Sequence, residues 1–227
     1  DVPAGSVVGI VGESGCGKTT AVRAITRVMP ASAVFAGGSI SLDGDDLVRM
    51  SDRDMRKHLW RDIAYVPQSA MNALDPVWRV GKQIEEVLVD RGGMGRKAAR
   101  ARAEDLFAMV GLEAKRLRDY PHQFSGGMRQ RASIALALAL SPRLVIADEP
   151  VTALDVVIQR QVLDTFADLQ KQLNISVILV THDISVVAYV CDYVVVMYAG
   201  KVVESGPVAE VLARPGHPYT MGLYNAF

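Results

Sequence analysis

Between Gly12 and Thr19 the chain reads Gly-Glu-Ser-Gly-Cys-Gly-Lys-Thr, which fits the pattern G-x-x-x-x-G-K-[ST]. Such a loop does one kind of chemistry. Glycines let successive backbone N–H groups turn inward around a phosphate, and the helix that follows adds the partial positive charge of its N-terminus. The residues expected to cradle a nucleotide are Gly12, Ser14, Gly15, Cys16, Gly17, Lys18, Thr19 and Thr20. Lys18 is placed to reach the β- and γ-phosphates, and the Thr19 hydroxyl is a hard oxygen ligand for Mg²⁺. A second cluster lies far along the chain. Leu144-Val145-Ile146-Ala147 ends in Asp148-Glu149, two adjacent acids closing an apolar run. Asp148 is expected to bind Mg²⁺ through water. Glu149 is the natural general base for a water attacking the γ-phosphate.

These groups need a scaffold, and the pattern supplies one. Ser6-Val7-Val8-Gly9-Ile10-Val11 reads as a buried strand entering the glycine-rich loop, and 20–29 as the helix leaving it, stopped by Pro30. A glycine-rich turn matching by chance would lack both. Ile63-Ala64-Tyr65-Val66 runs into Pro67-Gln68, and Ser176-Val177-Ile178-Leu179-Val180 runs into Thr181-His182-Asp183. Continuous apolar strands alternating with helices predict a parallel sheet covered on both faces, with ligands at the carboxyl ends of its strands. Ile158, Val162, Phe166, Leu169 and Leu173 mark the buried face of a helix after the acidic pair. Val194 to Tyr198, Ala199-Gly200 and Lys201 to Glu204 read as a hairpin. The middle is helical: 80–90 closed by Gly92-Gly93, 96–110 closed by Gly111, and a helix from Ser125-Gly126-Gly127 to 140. The expected organisation is a single ATP-binding domain over 1–227. An α/β core covers 1–71 and 141–227 with a small antiparallel β portion, and a helical subdomain is inserted at 72–140.

Composition sets limits. The chain has 227 residues, half of them hydrophobic, and its 25 basic and 25 acidic side chains cancel. That length allows a substantial core. Neutral charge without a dense basic tract gives no reason to expect nucleic acid as a partner. Arg96, Lys97, Arg100 and Arg102 read as the solvated face of a helix. Of two cysteines, Cys16 lies inside the glycine-rich loop, so a reduced, cytosolic chain is expected rather than a disulfide-bonded one. The longest apolar stretch, Ala132 to Leu140, is about half a membrane span. A start at Asp1, immediately before the first strand, suggests a piece of a longer polypeptide.

Phe124-Ser125-Gly126-Gly127-Met128 places a serine and two glycines at a helix start, a second anion-binding terminus in one chain. This makes sense if it serves a nucleotide held by another copy. Together with the glycine-rich loop, Gln68, Asp148-Glu149, Ala153-Leu154-Asp155 and His182, in that order, the chain resembles the nucleotide-binding domains of ABC transporters, whose signature is close to Leu-Ser-Gly-Gly-Gln. The resemblance spans essentially the whole chain. It implies that Gln68 touches the Mg²⁺ or the attacking water and senses a transmembrane partner. Ser125, Gly126, Gly127 and Met128 would face the γ-phosphate of the opposite site, Asp155 would connect the two sites across a dimer, and His182 would contact the γ-phosphate. His58, His122 and His217 lack such context and read as structural or surface residues.

Departures from the broad pattern narrow the branch. Phe124 and Met128 stand in the signature, Val151-Thr152 follow Pro150, Ser69-Ala70-Met71-Asn72-Ala73-Leu74-Asp75-Pro76 follows Gln68, and His217-Pro218-Tyr219-Thr220 lies near the end. These resemble the oligopeptide and dipeptide importers, a branch that includes oligosaccharide and nickel importers. The family's adenine-stacking aromatic lies upstream of the sequence given, and no cysteine cluster for iron and sulfur is present in it. The implied activity is ATP hydrolysis, with ATP and Mg²⁺, at the cytoplasmic face of a membrane. The implied partners are a second nucleotide-binding domain, transmembrane permease subunits and, indirectly, an extracytoplasmic solute-binding protein. A DNA-maintenance ATPase would need long coiled-coil arms between Gln68 and Ser125, which the spacing excludes. A regulatory domain that binds ATP without cleaving it is countered by the presence of Lys18, Glu149, His182 and Ser125.

Overall fold

The computed structural model describes residues 1–68, 73–152 and 154–225. The strands in chain order are β1 (Val7–Val11), β2 (Ser41–Leu42), β3 (Asp45–Asp46), β4 (Ile63–Val66), β5 (Leu144–Asp148), β6 (Ser176–Thr181), β7 (Tyr193–Tyr198) and β8 (Lys201–Pro207). Six of them form one sheet in the order β4-β5-β6-β1-β7-β8, parallel up to β7 and antiparallel between β7 and β8; β2 and β3 pair separately. β1 sits between β6 and β7, with Val11 opposite Thr181 and Val196. The crossovers therefore bring the ends of β1, β5 and β6 to one rim of the sheet, as the apolar runs ending in polar residues require.

The helices are α1 (Lys18–Thr26), α2 (Asp52–His58), α3 (Val80–Glu86), α4 (Arg96–Met109), α5 (Gly126–Ala137), α6 (Val156–Leu173), α7 (Ile184–Val190), α8 (Val208–Ala213) and α9 (Pro218–Asn225). Three of these differ from expectation. α5 stops at Ala137 rather than at 140, Leu138 leaving the helical conformation with ψ 0°. α1 ends at Thr26 rather than running to Pro30, because Arg27 turns left-handed (φ 56°) and its guanidinium donates to the carbonyls of Met50 at 2.8 Å and Val48 at 3.0 Å. Tertiary hydrogen bonds thus override local propensity. The expected 80–90 helix is α3 followed by a π-helical turn over Val87–Arg91. The wider turn keeps Leu88 fully buried and seats Gly92 against Leu140, where a Cβ would approach Leu140 Cδ2 to 2.8 Å.

One face of the sheet and the helices between β4 and β5 share a continuous core, from Val80, Ile84 and Leu106 through Ile134 to Val145 and Val177. Phe107, fully buried, meets Phe124 edge-on at 6.4 Å. Phe124, in place of the family's usual leucine, thereby anchors the start of α5 in that core. Removing a ring buried this way costs about 3–5 kcal/mol. On α6, Val162, Phe166 and Leu169 are buried while Ile158 and Leu173 pack at the edge of the cluster. The opposite face packs Val22 of α1 with Leu47, Met55, Ile146 and Ile178. A third cluster joins Val11, Val194 and Val196 to α7 and α8. Among the described residues no helix is long and apolar enough to cross a membrane.

Candidate functional site

β1 delivers the chain into the glycine-rich loop, and backbone geometry there admits little besides glycine. A Cβ on Gly12 would lie 2.2 Å from the Met197 carbonyl of β7. Gly17, the N-cap of α1, has φ 103° and gives that helix no side-chain cap. The first-turn N–H groups of α1 are therefore left for a ligand, the arrangement that binds anions. Lys18 is buried, its ammonium donating to the carbonyls of Gly12 at 2.7 Å and Glu13 at 2.9 Å. Cys16 is buried beneath the loop, its carbonyl accepting from Gly200 N at 3.0 Å.

Two strands bring the acids. Asp148 ends β5 with no solvent exposure and has a donor on each oxygen: Thr19 Oγ1 at 3.1 Å and Tyr65 Oη at 2.9 Å. Burial, and then the bond to Asp148, push the Tyr65 phenol up to about 12 although Arg23 pulls it down. The hydroxyl is thus a permanent donor. The chain then turns sharply. Glu149 takes φ 48° and its N–H bonds to the Val180 carbonyl at 2.9 Å. A left-handed conformation for a non-glycine residue costs about 1–2 kcal/mol. Here it directs the carboxylate to Gln68 Nε2 at 2.8 Å, Thr152 Oγ1 at 3.1 Å and His182 Nδ1 at 3.4 Å. Burial works to raise the Glu149 carboxyl, but the bonds from Thr152, His182 and Gln68 outweigh it and hold the group below the ordinary glutamate value of 4.5. His182 follows β6, its side chain more than half exposed.

A cavity of about 150 Å³ is lined by Ser14, Gly15, Gly17, Lys18, Thr19, Thr20, Gln68 and Glu149; Gly12, Cys16, Asp148 and His182 stand behind that lining, Asp148 bonded to Thr19 and His182 to Glu149. Its chemistry suits a magnesium–triphosphate. A buried ammonium and uncapped N–H groups face the polyanion, and one carboxylate and one hydroxyl, both hard oxygens, stand 3.1 Å apart. Gln68 turns its amide nitrogen to Glu149, so its carbonyl oxygen is the end that could ligate a metal.

The structure does not bring every expected residue to this cavity. Ser125 is exposed and caps α5, its hydroxyl accepting from Met128 N at 3.3 Å. Gly127 is buried against α6, where a Cβ would stand 2.4 Å from Ile158 Cγ2. Gly126 and Met128 are half-buried beside it, and Asp155 caps α6 by accepting from Ile158 N at 3.0 Å. None of these lines the cavity. Ala153 and residues 69–72 lie outside the described residues. Of the other histidines, His58 pairs with Asp62 at 2.8 Å, His122 stacks on Tyr120, and His217 Nδ1 accepts from Tyr219 N at 3.1 Å.

Sequence reasoning gave no role to Tyr65, Thr152 or Tyr219. Tyr65 had a visible signal, a hydroxyl inside an otherwise apolar strand three residues before Gln68. Thr152 and Tyr219 stood out only as departures from a pattern. Tyr219 Oη accepts from Glu13 N at 2.8 Å across 206 residues of sequence, a contact no local pattern encodes.

A family model described as ABC transporter matches residues 1–152. The oligopeptide transport ATP-binding protein OppD of Bacillus subtilis (strain 168) is 48% identical over 222 residues, covering 96% of this chain and 62% of that protein. The dipeptide transport ATP-binding protein DppD of the same organism is 47% identical over 226 residues, covering 98% of this chain and 68% of that protein. The chain thus spans about two thirds of the length of these relatives. Among solved structures, the dimeric post-hydrolysis state of the ATP-binding cassette MJ0796 bound to ADP and Pi superposes with a TM-score of 0.79 at 28% identity, over 92% of this chain and 88% of that one.

Proposed function

The chain belongs to the ABC transporter family, and from that premise we propose that it is the ATP-hydrolysing part of an importer for peptides or a related solute. The observation that carries hydrolysis, rather than binding alone, is the Glu149 carboxylate. It is held anionic by three donors in a strained turn at the edge of the phosphate cavity. Lys18 and the N–H groups of the loop would hold the β- and γ-phosphates. Thr19, Asp148 and Gln68 would hold Mg²⁺, which when bound neutralises charge on the phosphate oxygens. Glu149 takes a proton from the attacking water as the new P–O bond forms and the bond between the β-γ bridging oxygen and the γ-phosphorus breaks. His182 and Gln68 keep the carboxylate aimed.

Ser125, Gly126, Gly127 and Met128 would complete the site of a second nucleotide-binding domain placed head to tail, with Asp155 at the junction. The exposure of Ser125 at the start of α5, and the place of all four outside the lining of the chain's own cavity, support this reading, as does the dimeric relative bound to ADP and Pi. ATP would then favour the closed pair by binding it better than the open one.

The helical subdomain, 72–140, carries the surface for the transmembrane subunits. A groove of about 960 Å³ there is bordered by Asp75, Trp78, Lys82, Glu85 and Arg100. Trp78 is exposed, with the Lys82 ammonium 3.7 Å over its ring. Through this contact the chain would sit at the cytoplasmic face of the membrane and respond indirectly to a solute-binding protein. The decisive test is ATP turnover by the full chain with and without its membrane subunits. Stimulated turnover is expected; none in either state would reduce the protein to a binding module.

A further inference from the structure

The outer wall of the phosphate loop is built by the far end of the chain. The Gly12–Glu13 peptide is one rigid plane with a hydrogen bond at each end. Its carbonyl, on Gly12, accepts from Lys18 Nζ at 2.7 Å, and its N–H, on Glu13, donates to Tyr219 Oη at 2.8 Å. Gly12 has no Cβ to oppose rotation of that plane, so an outside anchor is what selects one orientation. Tyr219 is itself firmly placed. The Glu204 carboxylate of β8 accepts from Gly216 N at 2.7 Å and His217 N at 3.1 Å just before α9. The Tyr219 ring lies 4.6 Å from that of Tyr198 and packs beside Leu223 on the third core cluster. Thr220, the next residue, is fully buried.

We propose that Tyr219 is a positioning residue for nucleotide binding: its hydroxyl fixes the Gly12–Glu13 peptide in the orientation that seats the Lys18 ammonium at the phosphates. The proposal rests on the nucleotide site assigned above. It makes α9, none of whose residues lines the phosphate cavity, part of the ATP site's support. The anchored N–H is on the protein surface, where water could replace the tyrosine, so the bond's value lies in orientation more than in stability.

The test uses the full chain in its transporter complex, with Tyr219→Phe, which keeps the ring on Tyr198 and removes only the hydroxyl, and Tyr219→Ala. Tyr219→Phe should raise KM for MgATP and Kd for MgADP about three- to tenfold, with kcat within about twofold and an unchanged melting temperature. Hydrogen exchange should show the Glu13 amide losing protection in the same variant. Wild-type KM and wild-type Glu13 exchange in Tyr219→Phe would overturn the proposal. So would a loss of activity that simply tracks a loss of thermal stability in Tyr219→Ala while Tyr219→Phe behaves as wild type. A wild-type chain that fails to bind MgATP would instead overturn the site assignment, and the proposal with it.

Discussion

Two helix starts in this chain carry anion-binding sequences, and they are built in opposite ways. At α1 the loop is enclosed: Lys18 is buried, Gly200 holds the Cys16 carbonyl, Tyr219 supports the loop's outer side, and Gly17 leaves the first-turn N–H groups uncapped. At α5 the start is exposed, and the Ser125 hydroxyl is occupied in capping its own helix. One terminus has acids, hydroxyls and a lysine around it from the loop itself, β4, the end of β5 and α9; the other has Phe124 anchored behind it and solvent in front of Ser125. The difference teaches that the same motif class can be enclosed by its own chain at one helix start and left open at another, as the composite site proposed above requires.

The largest effect expected from breaking this contrast is at Glu149. Glu149→Gln keeps the bonds' geometry but removes the base, and hydrolysis should slow by roughly 10²–10⁴-fold while ATP holds two domains together; gel filtration with Mg-ATP would show the trapped pair. Adding Ser125→Arg should release that pair by steric and charge conflict, while filter binding shows this chain's own loop still taking ATP. If the double variant stays paired, the exposed terminus is not half of a site. Next comes Lys18→Ala, which removes charge-assisted contacts worth about 1.5–3 kcal/mol and should weaken ATP binding at least about tenfold by calorimetry. Ser125→Ala should leave affinity at this chain's own loop unchanged, which is the sharpest statement of the contrast.

Tyr65→Phe is expected to act more modestly. It strips one of two donors from a carboxylate with no solvent exposure, costing about 1–3 kcal/mol of stability. It should raise the Mg²⁺ concentration needed for half-maximal binding of a fluorescent ATP analogue. Smallest is the pH response. Glu149 is held below its ordinary value, so the base stays anionic as pH falls toward 4.5. Thr152→Val removes a donor that favours the anion, so the acidic limb of kcat should move to higher pH. A limb that moves lower, or not at all, would detach Thr152 from the base.

How much of this was legible follows from the range of the interactions. The glycine-rich loop, the acidic pair and the strands that carry them are local patterns, and they stand where the periodicity places them. Gln68 and His182 were legible as polar residues at strand ends, and β5, β6 and the segment after β4 do bring them to Glu149. What was hidden depends on contacts between distant segments. The end of α1 is set by Arg27 reaching Val48 and Met50, the π-turn by the seating of Leu88 and Gly92, the donor Tyr65 by the pairing of β4 with β5, Thr152 by the left-handed turn at Glu149, and Tyr219 by the return of α9 to the glycine-rich loop. None of these has a spacing that could announce it.

The close seat of Gly127 on Ile158 has a mechanical consequence. With no clearance for even a methyl group between them, α5 and α6 have no slack where they cross. Their caps, Ser125 on one and Asp155 on the other, thus stand at the starts of two helices in direct contact. A side chain at 127 would have to turn Ile158 aside or part the two helices, so the smallest residue sets how closely they lie.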